Sequence, residues 1–300
     1  MGSVGRRRRS GLAREEMRDG YLMVGFWLVG FLIFTAGPIL ASMGLSFTAW
    51  DLIADPKWAG WSNYRTLLKD DLIHVSLWNT LYFTAVLVPL STIGALLLAL
   101  AMNLPLRGIR LYRTLYYLPS ITPAVATTLL WLLIFQPEFG VANYLLRQVG
   151  LPKQLWLMDP DLAKPILILI ALWGVGGSIP IFLAGLQAIP PELYEAAEID
   201  GSNRWNSFRR VTLPLLTPVI FFSVITGIIG SFQVFTSAYI ATDGGPENAT
   251  LFYVLLLYRN AFQYFKMGYA SAMAWLLFVI VLLFTILQFR LARHWVHYEV

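Results

Sequence analysis

The chain has 300 residues, 57% of them hydrophobic and only 13% charged, with a formal net charge of +5. Soluble globular chains are about 45–50% apolar and about 25% charged. With a mean hydropathy of +0.63, this composition reads as an integral membrane protein and excludes a disordered chain. The lack of cysteine excludes a disulfide scaffold and a cysteine-ligated metal site.

The chain opens on a basic stretch with Arg6, Arg7, Arg8, Arg9, Arg14 and Arg18. No apolar periodicity marks it as folded, so residues 1–20 are expected to be a tail. Six stretches free of Asp, Glu, Lys and Arg follow: residues 21–50, 72–106, 114–137, 165–191, 211–242 and 267–289. About 20 apolar residues in a helix cross the ~30 Å hydrocarbon layer. Only helices and closed barrels satisfy their own backbone in lipid. Barrel strands are about 10 residues long and alternate in polarity, and these stretches do neither. An all-α polytopic fold with six transmembrane helices is expected, in one membrane domain over residues 21–293. The first stretch could serve as a signal peptide, but its apolar run is too long and no clear cleavage site follows. It is expected to stay attached. Residues 294–300 form a short wet tail with His294 and His297. His74 is the remaining histidine, and no metal site is expected.

Orientation follows from Lys and Arg. With the N-terminus inside, the larger share of the 22 basic residues falls inside. The tail arginines then lie with Arg107, Arg110, Arg113, Arg204, Arg209, Arg210, Arg290 and Arg293. Both termini are thus expected in the cytoplasm, in an inner or plasma membrane. The basic balance is a topology signal with some attraction to anionic lipid; no nucleic-acid partner is implied.

The apolar stretches lack what self-powered carriers use. Ion-coupled transport usually needs a charged or titratable group in the bilayer, and only His74 lies near one end of a stretch. Sodium held by backbone carbonyls remains open. No Lys follows a Gly, so the chain has no G-x-x-x-x-G-K phosphate loop. Any ATPase must be another chain. No paired carboxylates or nucleophile–base set support an enzyme, and no catalytic residue is assigned.

Glycines and prolines interrupt the stretches: Gly37, Pro38, Pro89, Pro119, Pro123, Gly174, Gly176, Gly177 and Pro180. Each frees backbone groups that a neighbour or a water-lined cavity must satisfy. Ordinary helix packing explains single cases. The cluster over residues 173–180 is denser and points to a substrate pathway. The fifth stretch holds the polar residues Ser231, Gln233, Thr236 and Ser237, and helical spacing places Gln233 with Thr236 and Ser237 on one broad face, with Phe232 or Phe235 offering a ring. Interhelical hydrogen bonding and contact with a hydroxyl-rich solute both fit.

The sharpest signal lies between the fourth and fifth stretches, over residues 187–201. Pro190 and Pro191 fit a helix start and Gly201 a helix end. Glu192 sits in the first turn, where the helix dipole favours an anion. Leu193, Ala196 and Ala197 share a shallow face. Ser202 is expected to cap a second short helix through Trp205 and Phe208, and Pro214 to open the fifth span. A short helix joined to two spans at the cytoplasmic mouth is a good lever.

Glu195-Ala-Ala-x-x-x-Gly201 followed by Leu213-Pro214 resembles the EAA loop of binding-protein-dependent ABC importer permeases. The longer run from Leu186 to Gly201 is similar to the sugar branch of that family, of the MalF type. Asn79-Thr-Leu, residues 113–119 and Asp243-Gly-Gly-Pro246 agree. The resemblance covers about residues 72–293, with the EAA loop at 188–213. It implies a type I importer permease with no cofactor of its own. The implied partners are a second permease, two copies of a cytoplasmic ATPase that bind ATP-Mg, an extracytoplasmic sugar-binding protein and a sugar. It implies that Glu192, Tyr194, Glu195, Ala196, Ala197, Asp200 and Gly201 engage the ATPase. It places Trp173, Gly174, Gly177, Ser231, Gln233 and Phe235 near the sugar. The alternative is a self-sufficient secondary carrier for a small polar solute.

Overall fold

A computed structural model describes residues 5–105 and 107–297, with side chains from residue 14 onward. The first four residues of the basic tail and the last three of the C-terminal tail lie outside the described residues, as do the side chains of Arg6, Arg7, Arg8 and Arg9. Among the described residues, four helices are long and apolar enough to cross a membrane: Arg14–Leu45, Asp71–Met102, Pro160–Ala188 and Met267–Ala292. Two bent pairs bring the candidate spans to six: Ile109–Ile121 with Ala124–Ile134, and Arg204–Leu215 with Thr217–Phe232.

By its contacts the chain forms two compact units. The smaller holds residues 1–66 and 260–275. Its helix begins inside the basic stretch, at Gly5, because Arg, Glu and Met are good helix formers. Pro38 has no N–H for the carbonyl of Phe34. The ladder adjusts through a π turn at Leu32–Ala36, where the Gly37 N–H bonds to the Leu32 oxygen. The first span was expected to run to residue 50 and stops at Leu45. Thr48 and Ala49 pair instead with Trp58 and Lys57 in a two-stranded antiparallel ladder, as suits β-branched and aromatic residues. Phe47 packs on Trp58, Trp61 and Tyr64. Asn63 donates to the backbone oxygens of Ser46 and Thr48 at 2.8 and 2.9 Å.

The larger unit holds residues 67–259 and 276–300. Asp70 caps the second span by accepting from the Leu72 N–H at 3.0 Å. Arg113 closes its other end by donating to the Met102 oxygen at 2.7 Å, a favourable place for a cation. Asp159 caps the fourth span through the N–H groups of Asp161 and Leu162.

Two spans are less regular than the sequence suggests. The third, expected as one helix over 114–137, bends by 98° at Thr122 and Pro123. Proline removes a helical donor and drives the preceding residue extended, and Thr122 has φ −73°, ψ 133°. The fifth was expected to open at Pro214. It bends by 60° around Leu216 and continues as Thr217–Phe232. Pro218 cannot donate to the Pro214 carbonyl, and the Thr217 hydroxyl does so instead at 2.6 Å. One core cluster joins Ala95, Ala99 and Met102 of the second span to Ile179, Phe182 and Leu186 of the fourth. Leu216 lies in the same cluster.

Candidate functional site

The loop between the fourth and fifth spans folds as a helix, Pro191–Ile199, with Pro191 in its first turn and Glu192 beside it. Its end is built by Gly201, which has φ +78°. The Gly201 N–H bonds to the Glu198 oxygen and the Ser202 N–H to the Ala197 oxygen, both at 2.9 Å. That pair of bonds is the Schellman arrangement, and its left-handed residue is usually glycine. The following short helix, Arg204–Ser207, is capped by Asn203 and not by Ser202 as expected. The Asn203 side chain accepts from the Asn206 N–H at 2.9 Å.

The loop helix presents a largely acidic surface. Glu192, Glu195, Glu198 and Asp200 are exposed, with Leu193, Ala196 and Gly201. Ile199, 87% exposed, and Trp205, 67% exposed, add apolar ground at its end. Ala197 is half-buried. Tyr194 faces the other way: it is half-buried, packs against the core cluster, and its hydroxyl lies 3.0 Å from Thr212 Oγ1. Of the residues expected to engage an ATPase, Tyr194 therefore joins the helix to its own span.

The residues expected near a solute divide. The fourth span switches to a 3-10 helix over Trp173–Ser178. Pro180 removes the donor that would bond to Gly176, and three glycines weaken the α-helix there. Gly176 is buried, and a Cβ on it would lie 1.8 Å from the Tyr116 carbonyl oxygen. This glycine lets the two helices cross, a role the sequence did not single out. Trp173, Gly174 and Gly177 are exposed. Trp173 makes an edge contact with Trp131 at 5.6 Å.

Gln233 does not share a helical face with Thr236 and Ser237 as expected. The helix ends at Phe232, and a new one starts at Thr236. Ser231 is buried and donates to Thr84 Oγ1 at 2.9 Å. Gln233 is exposed at the break. Phe235 stacks on Tyr239 at 5.3 Å and meets Tyr258 at 5.0 Å. The i, i+4 spacing of Phe235 and Tyr239 was a readable signal. Tyr258 had none. The Thr236–Ala241 helix packs on Ala124–Ile134, which carries Trp131.

Two motifs far apart in sequence meet at the other end of the larger unit. Asn79 donates to the backbone oxygens of Asn248 and Leu251 at 2.8 and 3.1 Å. Thr80 accepts from the Tyr253 N–H at 3.0 Å. Lys164 donates to Asn79 Oδ1 at 3.1 Å. Arg259 holds Asp243 through its carboxylate at 3.1 Å and its carbonyl. The loop that begins with Asp243-Gly-Gly-Pro246 is thus pinned to the second span and to Arg259, just past the short helix Tyr253–Tyr258.

The family model for the binding-protein-dependent transport system inner membrane component matches residues 91–297. The chain belongs to this family. It is 45% identical over 294 residues to the probable ABC transporter permease protein YesP of Bacillus subtilis (strain 168), covering 95% of this chain and 94% of that one. It is 36% identical to the lactose transport system permease protein LacF of Rhizobium radiobacter, covering 95% and 97%. Among solved structures it resembles a bacterial ABC transporter involved in the import of the acidic polysaccharide alginate. The TM-score is 0.82 and the identity 26%, over 94% of this chain and 98% of that one. The fold is that of a type I ABC importer permease, a membrane transport component. The family match starts inside the second span and includes the loop helix, both bent spans and the pinned loop.

Proposed function

We propose that this permease carries a sugar across the membrane as one half of a heteromeric importer, driven by two copies of a separate ATPase that grip the Pro191–Ile199 helix. The observation that carries this reading is the loop helix itself. It is short, opened by Pro191 and closed by the Gly201 turn, acidic on its exposed surface and joined directly to two spans. Glu195 offers a charge-assisted contact to a basic group of the ATPase. Ala196 lets a partner approach closely. The loop lies on the cytoplasmic side, together with Arg107, Arg110, Arg113, Arg204, Arg209 and Arg210. Closure of the ATPases on ATP-Mg moves the docked helix, and the permease pair turns from inward- to outward-facing.

A binding protein delivers the sugar on the opposite side, near the pinned loop after Thr242. The sugar passes Trp173, Gly174 and Gly177 of the fourth span, and Gln233 and Phe235 at the break in the fifth. These residues carry no charge, which favours a neutral solute, and aromatic rings with an amide suit a sugar's C–H faces and hydroxyls. The relatives named for lactose and for alginate support a carbohydrate. Ser231 serves this route from behind, by joining the fifth span to the second.

Reconstitution into proteoliposomes tests this reading. Sugar uptake is expected only with the sibling permease, the ATPase, the binding protein and ATP all present. Uptake by the purified chain alone on an ion gradient would overturn it in favour of a secondary carrier.

A further inference from the structure

Resting on that reading of the loop helix, we infer that the Tyr194 side chain is the post that transmits the helix's movement to the fifth span. The helix is not seated on a close-packed surface. A groove of about 940 Å³ lies along it, lined by Leu100, Ala101, Leu104, Glu198, Ser202 and Phe208 among others. Tyr194 and Thr212 both stand in the wall of that groove. Protein interiors transmit displacement because they are dense, so a helix with open space beside it passes force where it is braced.

Tyr194 supplies such a brace in two parts. Its ring packs against the cluster that joins the second and fourth spans. Its hydroxyl reaches Thr212 Oγ1 at 3.0 Å, across 18 residues of sequence. Thr212 is 5% exposed and ends a single π turn, Phe208–Thr212, that leads into the bend at Leu216. A π turn is an irregular place in a helix and is frequent at functional sites. The hydrogen bond therefore grips the fifth span just before its bend. Movement of the loop helix reaches the fourth span through the chain itself, at residues 188–191. It reaches the fifth span through the Tyr194 hydroxyl as well as the peptide. Both spans then turn together.

The ring alone does not complete this post. Phenylalanine at 194 keeps the apolar contact and loses the link to Thr212. The test uses the reconstituted complex and compares Y194F, T212V, T212S and the double variant Y194F/T212V. The readouts are complex assembly, ATP hydrolysis stimulated by the binding protein, and sugar transported per ATP hydrolysed. Y194F and T212V are each expected to assemble and to hydrolyse ATP as the parent does. Their transport per ATP should fall about fivefold, the effect of one hydrogen bond. T212S retains the hydroxyl and is expected to behave as the parent. The double variant is expected to be no worse than either single one, because both remove the same link.

Parent-like transport per ATP in Y194F and T212V overturns the proposal. So does a loss confined to assembly, which would make Tyr194 a packing residue only, or full additivity in the double variant. A parent complex that transports with no ATPase would instead overturn the reading of the loop helix on which the post depends.

Discussion

Ser231 on the fifth span donates a hydrogen bond to Thr84 on the second, 2.9 Å away, and both side chains are buried. Two residues further on, Gln233 is exposed at the point where the helix ends. Neighbouring polar residues in one apolar stretch thus have different work. One binds helix to helix and the other faces outward.

Ser231→Ala is therefore expected to weaken the permease slightly and to leave transport kinetics near normal. Interhelical hydrogen bonds in membranes average about 0.6 kcal/mol. Thermal unfolding in detergent should show a small drop, and uptake assays a KM for sugar within about twofold of the parent. Gln233→Leu is expected to do the reverse, with assembly and unfolding unchanged and uptake impaired. Unaltered uptake by Gln233→Leu would remove that residue from the route.

Gly176 and Gly174 sit two residues apart in the 3-10 turn, and their substitution should differ sharply. A Cβ on Gly176 meets the Tyr116 carbonyl oxygen at 1.8 Å, whereas a Cβ on Gly174 meets nothing within 4 Å. Gly176→Ala must push two helices apart, and overpacking of this kind costs about 1–3 kcal/mol. It is expected to lower the yield of folded protein and its unfolding midpoint. Gly174→Ala should fold as the parent does. Size-exclusion profiles and thermal melts of the two variants check the contrast, and equal behaviour would place the helix crossing elsewhere.

Gly201 has φ +78°, and a Cβ there would meet nothing within 4 Å. The cost of replacing it is purely one of backbone conformation. A β-branched residue in the left-handed region is strained by at least about 1–2 kcal/mol, while asparagine tolerates it. Gly201→Val is expected to open the Schellman end of the loop helix and to uncouple ATP hydrolysis from uptake. Gly201→Asn should retain most of the coupling. The ratio of uptake to hydrolysis in the two variants is the measurement, and a normal ratio in Gly201→Val would contradict the role of this turn.

The sequence made visible what depends on local pattern. Charge-free runs mark the spans, and Pro191 and Gly201 bracket the loop helix closely, because a rigid φ and a left-handed φ are written in single residue types. The sharp bend at Thr122 and Pro123 was only half legible. Proline announced a disturbance, but its 98° size depends on the neighbours the two halves pack against. What could not be read was the pairing of distant groups. Asn79 meets Asn248 across 169 residues, and Ser231 meets Thr84 across 147. The inward turn of Tyr194 depends on the core beneath it, and its residue type fits an outward contact equally well. Gly176 looked like its two neighbouring glycines until Tyr116 was placed against it.

The most direct test of a motor-gripped loop helix uses the natural absence of cysteine in this chain. Glu195→Cys introduces a unique thiol on the exposed face of Pro191–Ile199. In the assembled importer it is expected to cross-link to the ATPase subunit, and in cells it should react with an impermeant thiol reagent only after the cytoplasmic face is opened. Reaction from the outer face of intact cells, or a transporting complex in which that thiol never meets the ATPase, would contradict the account.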